Sequence, residues 1–173
     1  MLLKELMKDV TPKAEYEGFA TADDMVLAID ISPEQKADVG DYAVAQLGLK
    51  STSGSLNPEK KTNAYIRAGK STTKTGNQRT IAFDADRYLG DEFQDFVLSH
   101  KMKYATGQGA VVNYVYFNRL TGKGEKGQGT VIIDTDASGN AEENLAVSGS
   151  LEKSGAAPEE YTYSAASSSS LTE

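Results

Sequence analysis

Residues 90–134 read GDEFQDFVLSHKMKYATGQGAVVNYVYFNRLTGKGEKGQGTVIID, and residues 135–155 continue TDASGNAEENLAVSGSLEKSG. The first part opens as a helix. Asp91 at the N-cap with Gln94 three positions on is a capping-box pattern, and Glu92 places negative charge beside the unpaired first-turn amides. Phe93, Phe96, Val97, His100 and Tyr104 then fall at i, i+3, i+4, i+7 and i+11, a single stripe on a 3.6-residue spiral. The spacing predicts one helix that ends by Gly107, with Phe93, Phe96, Val97 and His100 packed as its core face. Lys101 and Lys103 sit where the last carbonyls favour cations.

Three strands are expected to follow. In residues 111–118, Val112, Tyr114 and Tyr116 alternate with Val111, Val115 and Phe117, so both faces are largely apolar and the strand should be covered on both sides. Tyr114, Tyr116 and Phe117 are its candidate sheet-core or inter-subunit residues. Residues 130–136 and 145–152 show plainer period-two alternation. Leu145, Val147 and Leu151 take one face, and Ala146, Ser148, Ser150 and Glu152 take a wet or lumenal one. The glycine-rich TGKGEKGQG and the segment DASGNAEE read as the turns between them.

Outward from this block the signals weaken. Residues 1–22, with a short LLKELM pattern, read as an arm or a single helical turn outside the core. Residues 25–31 and 42–50 are strand candidates, the first closed by Ser32 and Pro33. From Ser51 to Arg79 the chain turns polar and cationic, STSGSLNPEKKTNAYIRAGKSTTKTGNQR, before strand pattern returns at residues 80–84. A polar excursion this long predicts a hairpin flap with a functional role. One β domain over residues 23–163 is expected, followed by a disordered Ser-rich tail at 164–173.

Composition removes several function classes. The chain has 173 residues, a formal charge of −7, no cysteine, no tryptophan and one histidine. Net acidity disfavours a free-standing nucleic-acid binder. Without cysteine there is no disulfide framework or thiolate metal site, which fits a reducing cytoplasm. Residues 1–10 lack the apolar core of a signal peptide, and no apolar run approaches membrane-spanning length, so no membrane partner is expected. Charge is uneven: residues 51–83 hold six cations and one anion, whereas residues 129–173 hold one cation and eight anions. The plain reading of such a run is a solvated cationic loop; the sharper one is a head-to-tail contact between copies, whose opposite patches would steer register. Lys60, Lys61, Arg67, Lys70, Lys74 and Arg79 are the candidate contact residues of the basic flap.

No catalytic or cofactor motif survives inspection. Gly122, Gly124 and Gly127 spell G-x-G-x-x-G but lead into a strand, where no helix N-terminus faces a pyrophosphate. Gly69, Lys70 and Ser71 echo a phosphate loop whose first glycine is replaced by Ala64. Asp134, Asp136, Ser138 and Gly139 resemble a calcium loop, yet Leu145 stands where the bidentate Glu belongs. One histidine builds no multi-histidine cage, and no nucleophile elbow is present. The expectation is a non-enzymatic protein with no cofactor.

The series formed by DEFQDFVLSHKM, VVNYVYFNR, TGKGEKGQGTVIID and ENLAVSGSLEKSGAAPEEYT resembles the C-terminal half of the major tail tube proteins of tailed bacteriophages. The resemblance runs over residues 25–163 and is strongest over 90–158. It implies a mainly β domain, a β-sandwich or barrel-like tail tube fold flanked by one helix. It further implies six copies per ring, with inner sheets forming a continuous barrel and rings stacked around a tape-measure protein. Tail terminator or baseplate proteins would meet the ends of such a tube, and DNA would pass without sequence-specific binding. A subunit of this kind is assembled in the host bacterial cytoplasm and ends in the virion tail. The tube of a contractile bacteriocin or secretion apparatus is the alternative within this class. A carbohydrate-binding β-sandwich is disfavoured by the missing tryptophan and signal peptide, and a small β-rich hydrolase by the missing site.

Overall fold

A computed structural model describes residues 1–164. The serine-rich tail expected from Ser164 lies, from residue 165 onward, outside the described residues. The chain opens with a one-turn helix, α1 (Leu3–Leu6), and then the strands β1 (Met25–Ile29), β2 (Ala43–Val44) and β3 (Leu49–Ser55). An outlying hairpin, β4 (Pro58–Tyr65) and β5 (Gly69–Asn77), precedes β6 (Thr80–Asp86). Two short helices, α2 (Glu92–Val97) and α3 (His100–Lys103), lead to β7 (Val111–Asn118). The strands β8 (Lys123–Ser138), β9 (Ala146–Lys153) and β10 (Glu159–Thr162) complete it. Among the described residues, β1–β3 and β6–β10 form one antiparallel sheet in the order β2-β1-β7-β8-β9-β6-β3, with β10 also on β8. The architecture is a curled half-barrel, the barrel-like form of the expected β fold.

The long strand β8 holds this sheet together. Its first half pairs with β7 on one side and β10 on the other, Gly124 standing opposite both Phe117 and Tyr161. Its second half pairs with β9, Val131 opposite Leu151. The TGKGEKGQG segment, expected as a turn, is therefore mostly ladder, and only the residues around Gly122 turn the chain. The glycines that suggested a loop are needed for close approach. A Cβ on Gly124 would stand 2.2 Å from the Tyr116 carbonyl oxygen and 2.4 Å from Phe117 Cα.

The two faces of β7 carry separate cores, as its two-sided apolar pattern predicted. Val112, Tyr114 and Tyr116 lie with Leu27, Ile29, Phe83, Phe93, Val97, Met102 and Leu151 under the helices. Val115 and Phe117 lie on the opposite face with Leu3, Met7, Val26, Ala28, Tyr42 and Val44. The LLKELM turn is thus a core element and not a loose arm: Leu3 and Met7 are fully buried. Phe117 is flanked by Tyr161, in an edge contact at 5.5 Å, and by Tyr163, stacked at 5.8 Å.

The predicted single helix is two. Asp91 caps the first, accepting from the Gln94 amide at 2.9 Å. Ser99 then adopts an extended backbone and caps a second helix by accepting from the Met102 amide at 3.2 Å. The break rotates the apolar stripe. Met102 turns inward in place of Tyr104, and His100, expected in the core, is exposed beside the Tyr104 ring at 4.9 Å. Phe93 and Val97 are buried, whereas Phe96 is only half-buried. The other boundaries shift by a few residues: the first strand ends at Ile29, and the 42–50 candidate resolves into β2 and the start of β3.

Phe93 packs edge-on against Phe83 at 5.3 Å with the rings at 81°. Phe93→Ala should cost about 3–5 kcal/mol through lost burial and the cavity left behind. Phe96→Ala should cost clearly less, and thermal melting of the two variants side by side checks the order.

Two ion pairs clip the end of the sheet reached by β6 and β8. Lys50 meets Asp86 at 2.5 Å and Lys103 meets Asp136 at 2.7 Å. The lysine hydrogen bond is the leading cause that holds each carboxyl below the ordinary 3.8. A carboxylate lowered in the fold contributes stability above its unfolded value and loses it as pH falls through the folded one. The double variant D86N/D136N should therefore melt below the parent at pH 7. The two should converge as the pH drops below about 3.8, which melting across an acid series would reveal.

Candidate assembly surfaces

The hairpin β4–β5 is an arm outside the main sheet. β3 and β6 pair as far as Ser55 and Thr80, after which the backbone kinks at Asn57, whose φ is +40°. The Asn57 side-chain amide pins the kink by donating to the Gln78 carbonyl at 3.0 Å and to the Thr80 hydroxyl at 3.2 Å. Residues 51–55, read as the start of the flap, belong to the main sheet, so the free arm is shorter than the sequence implied. Beyond the kink the ladder runs from Pro58 opposite Asn77 to Tyr65 opposite Gly69. Eight residues of strand carry the tip about 25 Å outward.

The arm has no core. All its strand residues except Asn63 and Gly76 are exposed. Lys60, Lys61, Arg67, Lys70 and Lys74 stand on it against the single anion Glu59. None of these five cations belongs to an ion pair among the described residues. Tyr65 and Ile66 give the tip an exposed apolar surface. Arg67 at φ +64° and Gly69 at φ +74° supply the left-handed backbone the turn requires.

Arg79, grouped with the arm cations from sequence, behaves differently. Its Nε donates to Glu125 Oε1 at 2.6 Å and its guanidinium lies 5.4 Å from the Tyr116 ring centroid. With its side chain only 13% exposed, it is engaged within its own chain. The Tyr114 hydroxyl donates to the same Glu125 oxygen at 3.3 Å. Burial, and next the Glu125 charge, push the Tyr114 phenol well above its ordinary value, so it remains a donor. Arg79 therefore fastens the root of the arm to β7 and β8. Tyr114, Tyr116 and Phe117, expected in the sheet core or between subunits, are buried within the chain.

A second surface is the sheet face turned away from α2 and α3. Register aligns its side chains in rows across β3, β6, β9 and β8. One row is Ser55, Thr80, Glu152 and Thr130; the next is Ser53, Ala82, Ser150 and Ile132; the third is Ser51, Asp84, Ser148 and Thr135. Neither hydrophobic cluster extends onto these rows. Apart from Ile132, which is 37% exposed, and the carboxylates Asp84 and Glu152, the row side chains are serine, threonine and alanine. The β9 alternation had announced this wet side. Its partners on β3 were hidden inside the segment read as flap.

No protein-family profile and no curated protein matches the sequence. Solved structures do. The chain is similar to one in the tail of an empty gene transfer agent particle with C6 symmetry, at TM-score 0.55 and 15% identity over 84% of this chain and 100% of that one. It is likewise similar to a chain in the virion of a native gene transfer agent particle, at TM-score 0.55 and 14% identity over the same shares. At this identity the likeness is one of fold. The chain has the β-rich fold found in the tail of a phage-like particle, in agreement with its sequence resemblance to tail tube proteins.

Proposed function

We propose that this protein is the repeating subunit of a tail tube: copies close into sixfold rings, and rings stack into a conduit for DNA. The observation that carries the reading is the arm. Twenty residues of two-stranded ribbon, 58–77, pair in a sheet of their own among the described residues and expose every cation they carry. Such a ribbon is at best marginally stable alone in water, and in a stacked assembly a neighbouring ring completes it. The fold's occurrence in a tail of C6 symmetry supports the sixfold ring.

The bare sheet face supplies the conduit wall. Rows made mostly of serine and threonine leave room for a passing duplex, Asp84 and Glu152 repel phosphate, and the one lysine beside them, Lys50, is engaged by Asp86, so the wall favours sliding over sticking. Partners follow from this role: further copies of the chain, a tape-measure protein within the tube, and terminator or baseplate proteins at its ends. The role is structural, with assembly in the host cytoplasm and final location in the virion tail.

The test separates ring closure, which depends on the sheet, from stacking, which depends on the arm. Reversing Lys60, Lys61 and Lys70 to Glu replaces attraction with repulsion. Even about 0.5 kcal/mol per exposed pair grows large when six subunits repeat it. The variant should form rings that do not stack. High salt should partly restore stacking, because the Debye length is only about 8 Å at physiological ionic strength. Sedimentation and electron microscopy at low and high salt read the outcome. Normal tubes at every salt would remove the arm from the stacking contact.

A further inference from the structure

Resting on the tube reading, we infer where the arm docks: on the opposite end of a second copy, against the surface formed by turn 87–90 and loop 139–145. The topology sets the two sites apart. The arm leaves at the Ser55–Thr80 end of the β3–β6 pair, and β6 then runs away from it to Asp86, where the turn begins. A chain with an arm at one end and its receptor at the other makes a head-to-tail contact, which repeats without limit along an axis.

The receptor matches the arm in apolar character. Leu89 is 79% exposed, Tyr88 52% and Leu145 47%, an unusual grouping of large apolar side chains on a surface. They form one patch because the Arg87 amide donates to the Leu145 carbonyl at 2.7 Å, joining turn to loop. At the arm tip Ile66 is 92% exposed and Tyr65 54%. Among the described residues neither group belongs to a hydrophobic cluster of its own chain, so each is available to cover the other.

Charge complements in the same sense. Glu142 and Glu143 of the loop have no ion-pair partner among the described residues. The cations beside them are already engaged: Arg87 pairs with Asp95 and Lys50 with Asp86. A cleft of about 400 Å³ lined by Asp86, Glu143, Asn144 and Lys50 opens between loop and strand, wide enough for a lysine side chain. The surface is also preorganised. Buried Gln94 accepts from the Tyr88 amide at 2.9 Å and donates to the carbonyls of Leu47 at 2.7 Å and Asp86 at 3.0 Å. Docking therefore costs little ordering on the receptor side.

The absence of cysteine from the chain makes a direct test clean. The double variant I66C/L89C is assembled, mildly oxidised and run on a non-reducing gel, beside each single variant. Disulfides require Cα atoms within about 7 Å, so a ladder of covalent multimers from the double variant alone is the expected result. As a competing receptor, I66C/A156C probes the apolar cleft beside β10, lined by Val39, Tyr42, Val115 and Ala156. Tubes that yield no I66C/L89C ladder, or a ladder with I66C/A156C instead, overturn the inference and leave the tube reading standing. Wild-type protein that never forms rings or tubes overturns the tube reading itself. If the cysteine variant fails to assemble, charge swapping decides. E142K/E143K should block stacking, and combining it with K60E/K61E/K70E in one chain should restore it. A swap that leaves stacking blocked, or E142K/E143K tubes of normal length, contradicts the assigned receptor.

Discussion

Everything in this fold hangs on the ladder of β8. A sixteen-residue strand is long for a domain of this size, and two half-sheets use it in succession. The first half seats β7 and β10, and the second seats β9, which carries β6 and β3 outward. The arrangement works because the neighbouring backbones approach β8 where it has no side chains to obstruct them, as at Gly124. A Cβ there would force Tyr116 and Phe117 away and open the β7–β8 ladder. β9 shows the same device. Gly149 lies across from Phe83, and a Cβ on it would come within 3.0 Å of that ring.

Sharing one strand between two half-sheets decides which faces are covered. Helices α2 and α3 cover one face along most of its width. On the other face, α1 with Tyr161 and Tyr163 covers only the β1–β7 end. The remaining rows on β3, β6, β9 and β8 belong to neither hydrophobic cluster, and their mostly polar side chains suit water. The arm then leaves this uncovered half, rooted by Arg79 on Glu125 and by Asn57 on Gln78. An open polar face and an unsupported basic ribbon are poor features for a solitary domain, and they are the features on which the proposed assembly rests.

Much of this was legible in the sequence, and the failures have physical causes. The two-sided apolar pattern of VVNYVYF correctly demanded cover on both faces, but the second cover came from LLKELM, a pattern too short to show periodicity. The stripe from Phe93 to Tyr104 suggested a continuous helix because its spacing is helical. Ser99 interrupts it by capping a new start, and that choice was invisible among equally spaced apolar residues. TGKGEKGQG looked like a turn because glycine favours turns, whereas here it permits close ladder packing. Arg79 looked like one more flap cation, because its partner Glu125 lies 46 residues away. The basic character of the arm was plain from composition. Its apolar tip at Tyr65 and Ile66, and the matching Tyr88, Leu89 and Leu145, emerged only once exposure was known.

In the proposed tube the arm is completed by another copy. Amide hydrogen exchange on the wild-type protein, compared between dilute unassembled subunit and assembled material, tests it most directly. A ribbon without a core opens at little cost, so arm amides should exchange fast in the isolated subunit, while those of β7, β8 and β9 exchange slowly. On assembly, protection should rise sharply across residues 58–77 and change little in the central strands. Equal exchange of the arm in both states would contradict the account.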